Sequence, residues 1–135
     1  MPLTDAQRAF LDRPLHAIVA TLRPDGSVVQ SVVWYQRQGD ELWISTSPAS
    51  VKVRHLRRDP RISLLVLSED GSAYLALAGR ATIVEDVETP DRIALMRRYV
   101  GEQGAWELVR RRPLSRPNAR IRVRIERVTA YNLPG

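Results

Sequence analysis

The sequence predicts a mainly β (α+β) domain in which six antiparallel strands form a barrel and a few helices pack at its periphery. Three observations carry this. β-rich runs recur between turn signals such as Pro24-Asp25-Gly26, Gly39-Asp40 and Asp70-Gly71. Several runs are apolar at consecutive positions, Ile18-Val19-Ala20 and Val32-Val33-Trp34-Tyr35 among them, so both faces of those strands are covered. Near the C-terminus Arg120, Arg122 and Arg124 alternate with Ile121, Val123 and Ile125, the period-two mark of a strand with one buried face.

The elements follow in chain order. Thr4 and Gln7 have the spacing of a capping box and open a short helix to about Leu11. Strands over His16 to Leu22, Ser27 to Tyr35 and Glu41 to Thr46 read as an antiparallel meander. Ser47 is the expected N-cap of the next helix, with Pro48 at its first position. Ala49, Val53 and Leu56 give that helix a buried face, and Asp59-Pro60 ends it. Strands over Arg61 to Leu67 and Ala73 to Val84 come next. Thr89-Pro90 opens a helix carrying Ile93, Leu95, Met96 and Tyr99, which Gly101 to Gly104 breaks. A further helix, about Ala105 to Arg111, precedes a loop from Pro113 to Pro117. In the last strand the alternation slips at Glu126-Arg127 before Val128, which predicts a bulge.

Composition narrows the function. The 135 residues suit one domain, residues 1–135, with 44% hydrophobic residues and no apolar run near the roughly 20 needed to span a bilayer. The start lacks a basic stretch followed by an apolar one, so no export signal is read, and a cytoplasmic location without membrane contact is expected. There are no cysteines, hence no disulfide, thiol nucleophile or thiolate metal site, and His16 and His55 stand far apart, so no metal is expected. The net charge of +6 comes from arginines scattered along the chain, with clusters at Arg54/Arg57/Arg58/Arg61 and Arg110 to Arg112. No nucleic-acid-reading motif accompanies them, and no nucleic-acid partner is expected. No phosphate-binding glycine loop or nucleophile elbow is present, and Asp5, Asp12, Asp40, Asp59, Asp70 and Asp86 read as cap and turn residues. No catalytic side chain is identified; an enzyme of this composition takes its difficult chemistry from a cofactor.

One segment has the make-up of an anion site. Lys52, the only lysine beside twenty arginines, follows Thr46, Ser47 and Ser50 at a strand-to-helix junction. Free backbone N–H groups and the positive end of the helix dipole gather there, as phosphate sites require. With Ser47 as N-cap, Lys52 falls in the second turn and reaches back over that end, and Arg54 is placed for a second anionic group. Other readings stay open: Ser47 as a plain cap, and Arg54 and Arg57 as a solvated face.

Asp25-Gly26, Ser31-Val32-Val33-Trp34-Tyr35, Thr46…Ser50-x-Lys52-x-Arg54-x-Leu56-Arg57-Arg58-Asp59-Pro60-Arg61, Gly79-Arg80-Ala81, Ile93-Ala94-Leu95 through Tyr99-x-Gly101-Glu102…Trp106 and Val128…Tyr131-x-Leu133-Pro134 span nearly the whole chain. Together they resemble the pyridoxamine 5′-phosphate oxidase-like split-barrel flavin and deazaflavin oxidoreductases, above all the actinobacterial branch that uses coenzyme F(420). The resemblance implies a six-stranded split barrel of the FMN-binding type and a homodimer with cofactor in clefts between subunits. It also implies hydride transfer to a small unsaturated or conjugated substrate. By the same resemblance the backbone of Gln30, Ser31, Val32 and Val33 lies along the cofactor ring, while Thr46, Ser47, Ser50 and Lys52 hold its phosphate. Many relatives have proline where Val32 stands, and Val32 restores a backbone N–H. FMN therefore stands as the alternative cofactor, in a flavin reductase or an oxidase of a pyridoxamine-phosphate-like amine, and a non-catalytic cofactor-binding protein is the third reading. Trp34 and Tyr35 read either as ring contacts or as core aromatics of a barrel strand.

Overall fold

The computed structural model describes residues 3–85, 89–111 and 117–133. Asp86, Arg112, Pro134 and all but the end of the loop expected at Pro113 to Pro117 lie outside them. Among the described residues the chain forms three helices and seven strands: α1 Asp5–Leu11, β1 Ala17–Leu22, β2 Val28–Val33, β3 Gln36–Gln38, β4 Glu41–Thr46, α2 Val51–Arg58, β5 Arg61–Leu67, β6 Tyr74–Glu85, α3 Thr89–Arg111 and β7 Ala119–Tyr131. None of these helices is long and apolar enough to cross a membrane.

All strand pairs are antiparallel, in the order β2-β1-β5-β6-β7-β4-β3. The two end strands, β2 and β3, are consecutive in the chain and separated only by Trp34 and Tyr35. The sheet must therefore curl until its edges meet at that corner, although no hydrogen-bonded ladder joins them. This corrects the expected six-stranded barrel: among the described residues there are seven strands, and the sheet is left unclosed along a seam.

The seventh strand arises because the run Ser27 to Tyr35 breaks. Tyr35 is fully buried, and its backbone leaves the ladder for partners on α3. Its N–H donates to the Tyr99 hydroxyl at 3.1 Å, and its carbonyl accepts from Arg98 Nε at 3.0 Å. The chain turns there and resumes as β3 against β4, so β4 pairs with β3 and β7 and not with β2.

Local signals elsewhere match their elements. Thr4 and Gln7 form the reciprocal capping box of α1. Ile121, Val123 and Ile125 are buried in a core with Leu42, Ile44, Leu64, Leu75 and Leu77, while Arg122 and Arg124 face outward. The expected bulge is present: Ala78 pairs with Arg127 and Gly79 with Ile125, leaving Glu126 unopposed. A Cβ on Gly79 would sit 2.0 Å from the Arg124 carbonyl oxygen, so only glycine permits this close approach. In α3 the break expected over Gly101 to Gly104 narrows to Gly101, whose φ of 75° and ψ of 179° kink the helix.

α2 begins later than the Ser47-Pro48 signal suggests. Ser47 closes a turn instead, its carbonyl accepting from Ser50 N–H at 3.0 Å and its hydroxyl from Ala49 N–H at 3.2 Å. Ser50 is the N-cap, in extended conformation, and accepts from Val53 N–H at 3.3 Å. Pro48 serves as the second residue of the Ser47–Ser50 turn, a position its fixed φ suits as well as the start of a helix. Lys52 consequently stands in the first turn of α2, not the second.

Candidate functional site

The corner between β2 and β3, the end of β4, the start of α2 and one side of α3 surround a cleft of about 520 Å³. That is the size range of small-molecule and cofactor sites. Val32, Val33 and Trp34 form one wall, Ser45, Thr46 and Lys52 another, and Leu95, Met96 and Leu108 of α3 the roof. His16 and Arg92 complete the lining.

Two residues of α3 hold the roof in place. Arg98 donates to the carbonyls of Leu11, Asp12 and Arg13 at the end of α1, at 2.9, 2.7 and 2.6 Å, as well as to Tyr35. The Tyr99 hydroxyl lies 2.7 Å from the Leu15 carbonyl and 3.1 Å from that of Tyr35. Burial raises the Tyr99 phenol above its ordinary value, so it stays protonated and able to donate. Its ring stacks on Trp34 with centroids 4.8 Å apart and planes 3° apart. Trp34 therefore faces the cleft, whereas Tyr35 is a core residue.

The cleft's electrostatics are one-sided. Among the described residues its lining holds Lys52 and Arg92 and no aspartate or glutamate. Lys52 is half-buried; its Nζ lies 3.4 Å from Ser31 Oγ, and no carboxylate among the described residues pairs with it. Most arginines near carboxylates are paired, as with Arg57 and Glu85 at 2.7 Å or Arg61 and Asp59 at 2.7 Å. At the start of α2 the amides of Val51 and Lys52 have no acceptor within the helix. An ammonium with no carboxylate partner among the described residues, carried on the turn whose first amides are open, is a donor set that a phosphate completes.

The structure brings Thr46, Lys52, Val32 and Val33 together in the lining, with Ser31 reached through Lys52. Ser47 and Ser50 are not in the lining; their hydroxyls accept from backbone amides of the turn and of α2. Gln30 lies outside the lining and is exposed on the outer face of β2 with Val28 and Val32, and Arg54 is exposed on α2. β2 is an edge strand, so one row of its backbone N–H and C=O groups is left without a strand partner beside the cleft. Sequence reasoning did not place His16, Ser45, Arg92, Leu95, Met96 or Leu108 here. The apolar face of α3 was visible, but not the surface it would cover. Among the described residues no cluster of side chains could hold a metal ion.

The model of the family described as pyridoxamine 5′-phosphate oxidase matches residues 3–132. The chain belongs to that family. Its split-barrel fold is shared with solved structures. An F(420) reductase is 25% identical, with a TM-score of 0.76 over 94% of this chain and 98% of that one. A conserved hypothetical protein from Mycobacterium tuberculosis is also 25% identical, with a TM-score of 0.75 over 96% of this chain and 84% of that one. A pyridoxamine 5′-phosphate oxidase-related, FMN-binding protein from Nostoc punctiforme is 17% identical, with a TM-score of 0.67 over 96% and 86% of the two chains, which shows the common fold.

Proposed function

We propose that the protein is a coenzyme F(420)-dependent oxidoreductase acting on a small unsaturated or conjugated substrate. The carrying observation is that, among the described residues, the cleft is lined by no carboxylate and Lys52 stands without a carboxylate partner beside the free edge of β2. The F(420) reductase of the same fold favours the deazaflavin over FMN. Lys52 and the open amides of α2 hold the phosphate, and Ser31 orients the ammonium. Thr46, with Ser47 and Ser50 next along the chain, completes the phosphate end. The edge of β2 through Val32 and Val33 offers hydrogen-bonding groups to the ring. Trp34, Leu95 and Met96 keep water from its face. When bound, the reduced deazaflavin supplies a hydride, and the substrate takes its second hydrogen as a proton from solvent.

The working form in this reading is a homodimer. Val32, Ile18, Leu65 and Ala76 lie in register across the outer face of β2, β1, β5 and β6. Val28 and Val32 are 53% and 65% exposed there. A second copy covers this apolar face and adds a wall to the cleft at Val32.

The test is titration of the purified protein with coenzyme F(420) and with FMN side by side, followed by turnover with the carrier that binds. Tight binding of F(420) and reduction of a conjugated substrate are expected. Preference for FMN moves the protein to the flavin reading, and binding of neither refutes a redox role for this cleft.

A further inference from the structure

The reaction proposed above consumes one proton for every hydride. Hydroxyl, indole, ammonium and guanidinium groups hold their protons near neutrality, whereas imidazole ordinarily gains and loses one between about pH 5 and 8. Among the described residues of the cleft lining His16 alone is of that kind; the other polar side chains there are Trp34, Ser45, Thr46, Lys52 and Arg92.

The sheet sets His16 apart from the phosphate end. Lys52 Nζ meets Ser31 on β2, and Val33 is two residues on, roughly 7 Å at a strand's rise. Val33 pairs with Ala17, so His16 leaves the ladder next to Trp34. The His16 ring lies 6.1 Å from that of Tyr99, on which Trp34 stacks. Its backbone is fixed on both sides: the Leu15 carbonyl lies 2.7 Å from the Tyr99 hydroxyl, and Ala17 pairs with both Val33 and Val66. The side chain is exposed and has no hydrogen-bond partner among the described residues, whereas His55 Nδ1 lies 3.0 Å from Thr21 Oγ1. The cleft shares His16 and Val32 with a groove of about 610 Å³ that Leu15, Ile18 and Leu67 also line. Glu69, on that groove, is ion-paired with Arg13. A fixed backbone thus carries an uncommitted imidazole at the junction of cleft and groove.

We propose that His16 is the general acid of the reaction, the group that hands the solvent proton to the substrate. The inference rests on the function proposed above and adds a catalytic residue to it. As one carbon of the substrate's C=C takes the hydride, the electron pair of the π bond passes to the other carbon. That carbon forms its C–H bond with a ring N–H proton of the imidazolium, the N–H bond breaks, and the neutral ring takes its next proton from water. The titratable groups around the junction are Lys52 of α2, Arg92 and Tyr99 of α3, and Arg13 and Glu69 at the groove. Ammonium, guanidinium, phenol and carboxyl groups all titrate outside the imidazole window.

His16→Asn and His16→Ala test the role. The chain has two histidines, so protein labelled with ¹³C-histidine gives two imidazole signals, and His16→Asn identifies which is which. Coenzyme F(420) or FMN, titrated in without substrate, should move the His16 signal saturably. With cyclohex-2-enone as acceptor, kcat of the parent should fall as pH rises from about 5 to 8, because the imidazolium loses its proton. His16→Asn should turn over about 100-fold more slowly, without that pH dependence and with an unchanged Kd for the carrier. Free imidazole should restore turnover to His16→Ala, which a structural defect would not permit. A parent-like rate and pH profile in His16→Asn, or a His16 signal left in place by a carrier that binds, overturns the assignment while the redox reading stands. Binding of neither carrier, or binding without turnover, refutes that reading and this role with it.

Discussion

Replacing Lys52 with alanine isolates the anion-binding contribution of the cleft from its role in the fold. The ammonium's 3.4 Å contact to Ser31 Oγ is at the long end for a hydrogen bond, and no ion pair is lost with it. Alanine is also a strong helix former, and it removes a cation from the positive end of the α2 dipole. Folding stability should therefore change by no more than about 0.5 kcal/mol, as at ordinary surface positions. A charge-assisted hydrogen bond to a phosphate contributes about 1.5–3 kcal/mol. Its loss corresponds to a roughly 10- to 150-fold higher Kd for the carrier. Isothermal titration with F(420) or FMN measures that ratio, and urea unfolding of both proteins measures the stability term. Arg57→Ala is the control: its pair with Glu85 is exposed and contributes about 0–1 kcal/mol. An unchanged Kd in Lys52→Ala, with the fold intact, refutes the phosphate assignment.

Four further outcomes are expected. Tyr99→Phe strips the hydroxyl that serves the Leu15 and Tyr35 backbones, and unfolding in urea should show a loss of about 1–3 kcal/mol. Gly79→Ala drives a methyl into the Arg124 carbonyl, and thermal melts should report at least about 1–3 kcal/mol of destabilisation. Asp59 is lowered to about 2 by hydrogen bonds from the Arg61 side chain, and Asp70 to about 2 by those from Ser72, against an ordinary 3.8. The unfolded chain thus takes up these protons at higher pH, so stability is full above about pH 4 and falls as pH drops towards 2. In Asp59→Asn/Asp70→Asn this acid limb should be shallower in pH-dependent melts. Leu65→Arg places a charge in the outward apolar row, and sedimentation should show a dimer reduced to monomer; a parent protein that sediments as a monomer defeats the dimer reading.

What could be read beforehand was what neighbours in sequence decide. The Thr4–Gln7 capping box, the buried Ile121, Val123 and Ile125 and the bulge at Glu126 all express local hydrogen bonding or side-chain periodicity. Even locally, two signals competed: Ser47-Pro48 suits a helix start and a turn alike, and the turn prevailed because Ser50 caps the helix. The break after Val33 was hidden because Arg98 and Tyr99, more than sixty residues on, compete for the Tyr35 backbone. The roof of the cleft was hidden for the same reason. A helical apolar stripe tells that Leu95 and Met96 are covered, not that they cover a cleft. Likewise the Arg120 guanidinium stacks on Trp43 only because β4 and β7 are neighbours in the sheet.

The seam at Trp34-Tyr35 bears on how this chain avoids sticking to others. A sheet with two open margins offers two templates for recruiting foreign strands. Here one margin is the three-residue Gln36–Gln38, short, polar and carrying Arg37, and the other lines a recessed cleft beneath α3. Because Trp34 and Tyr35 tether the two, neither can swing out without pulling the other's contacts apart. Self-protection and ligand access thus depend on the same unzipped line, and loosening it to widen the pocket would invite aggregation.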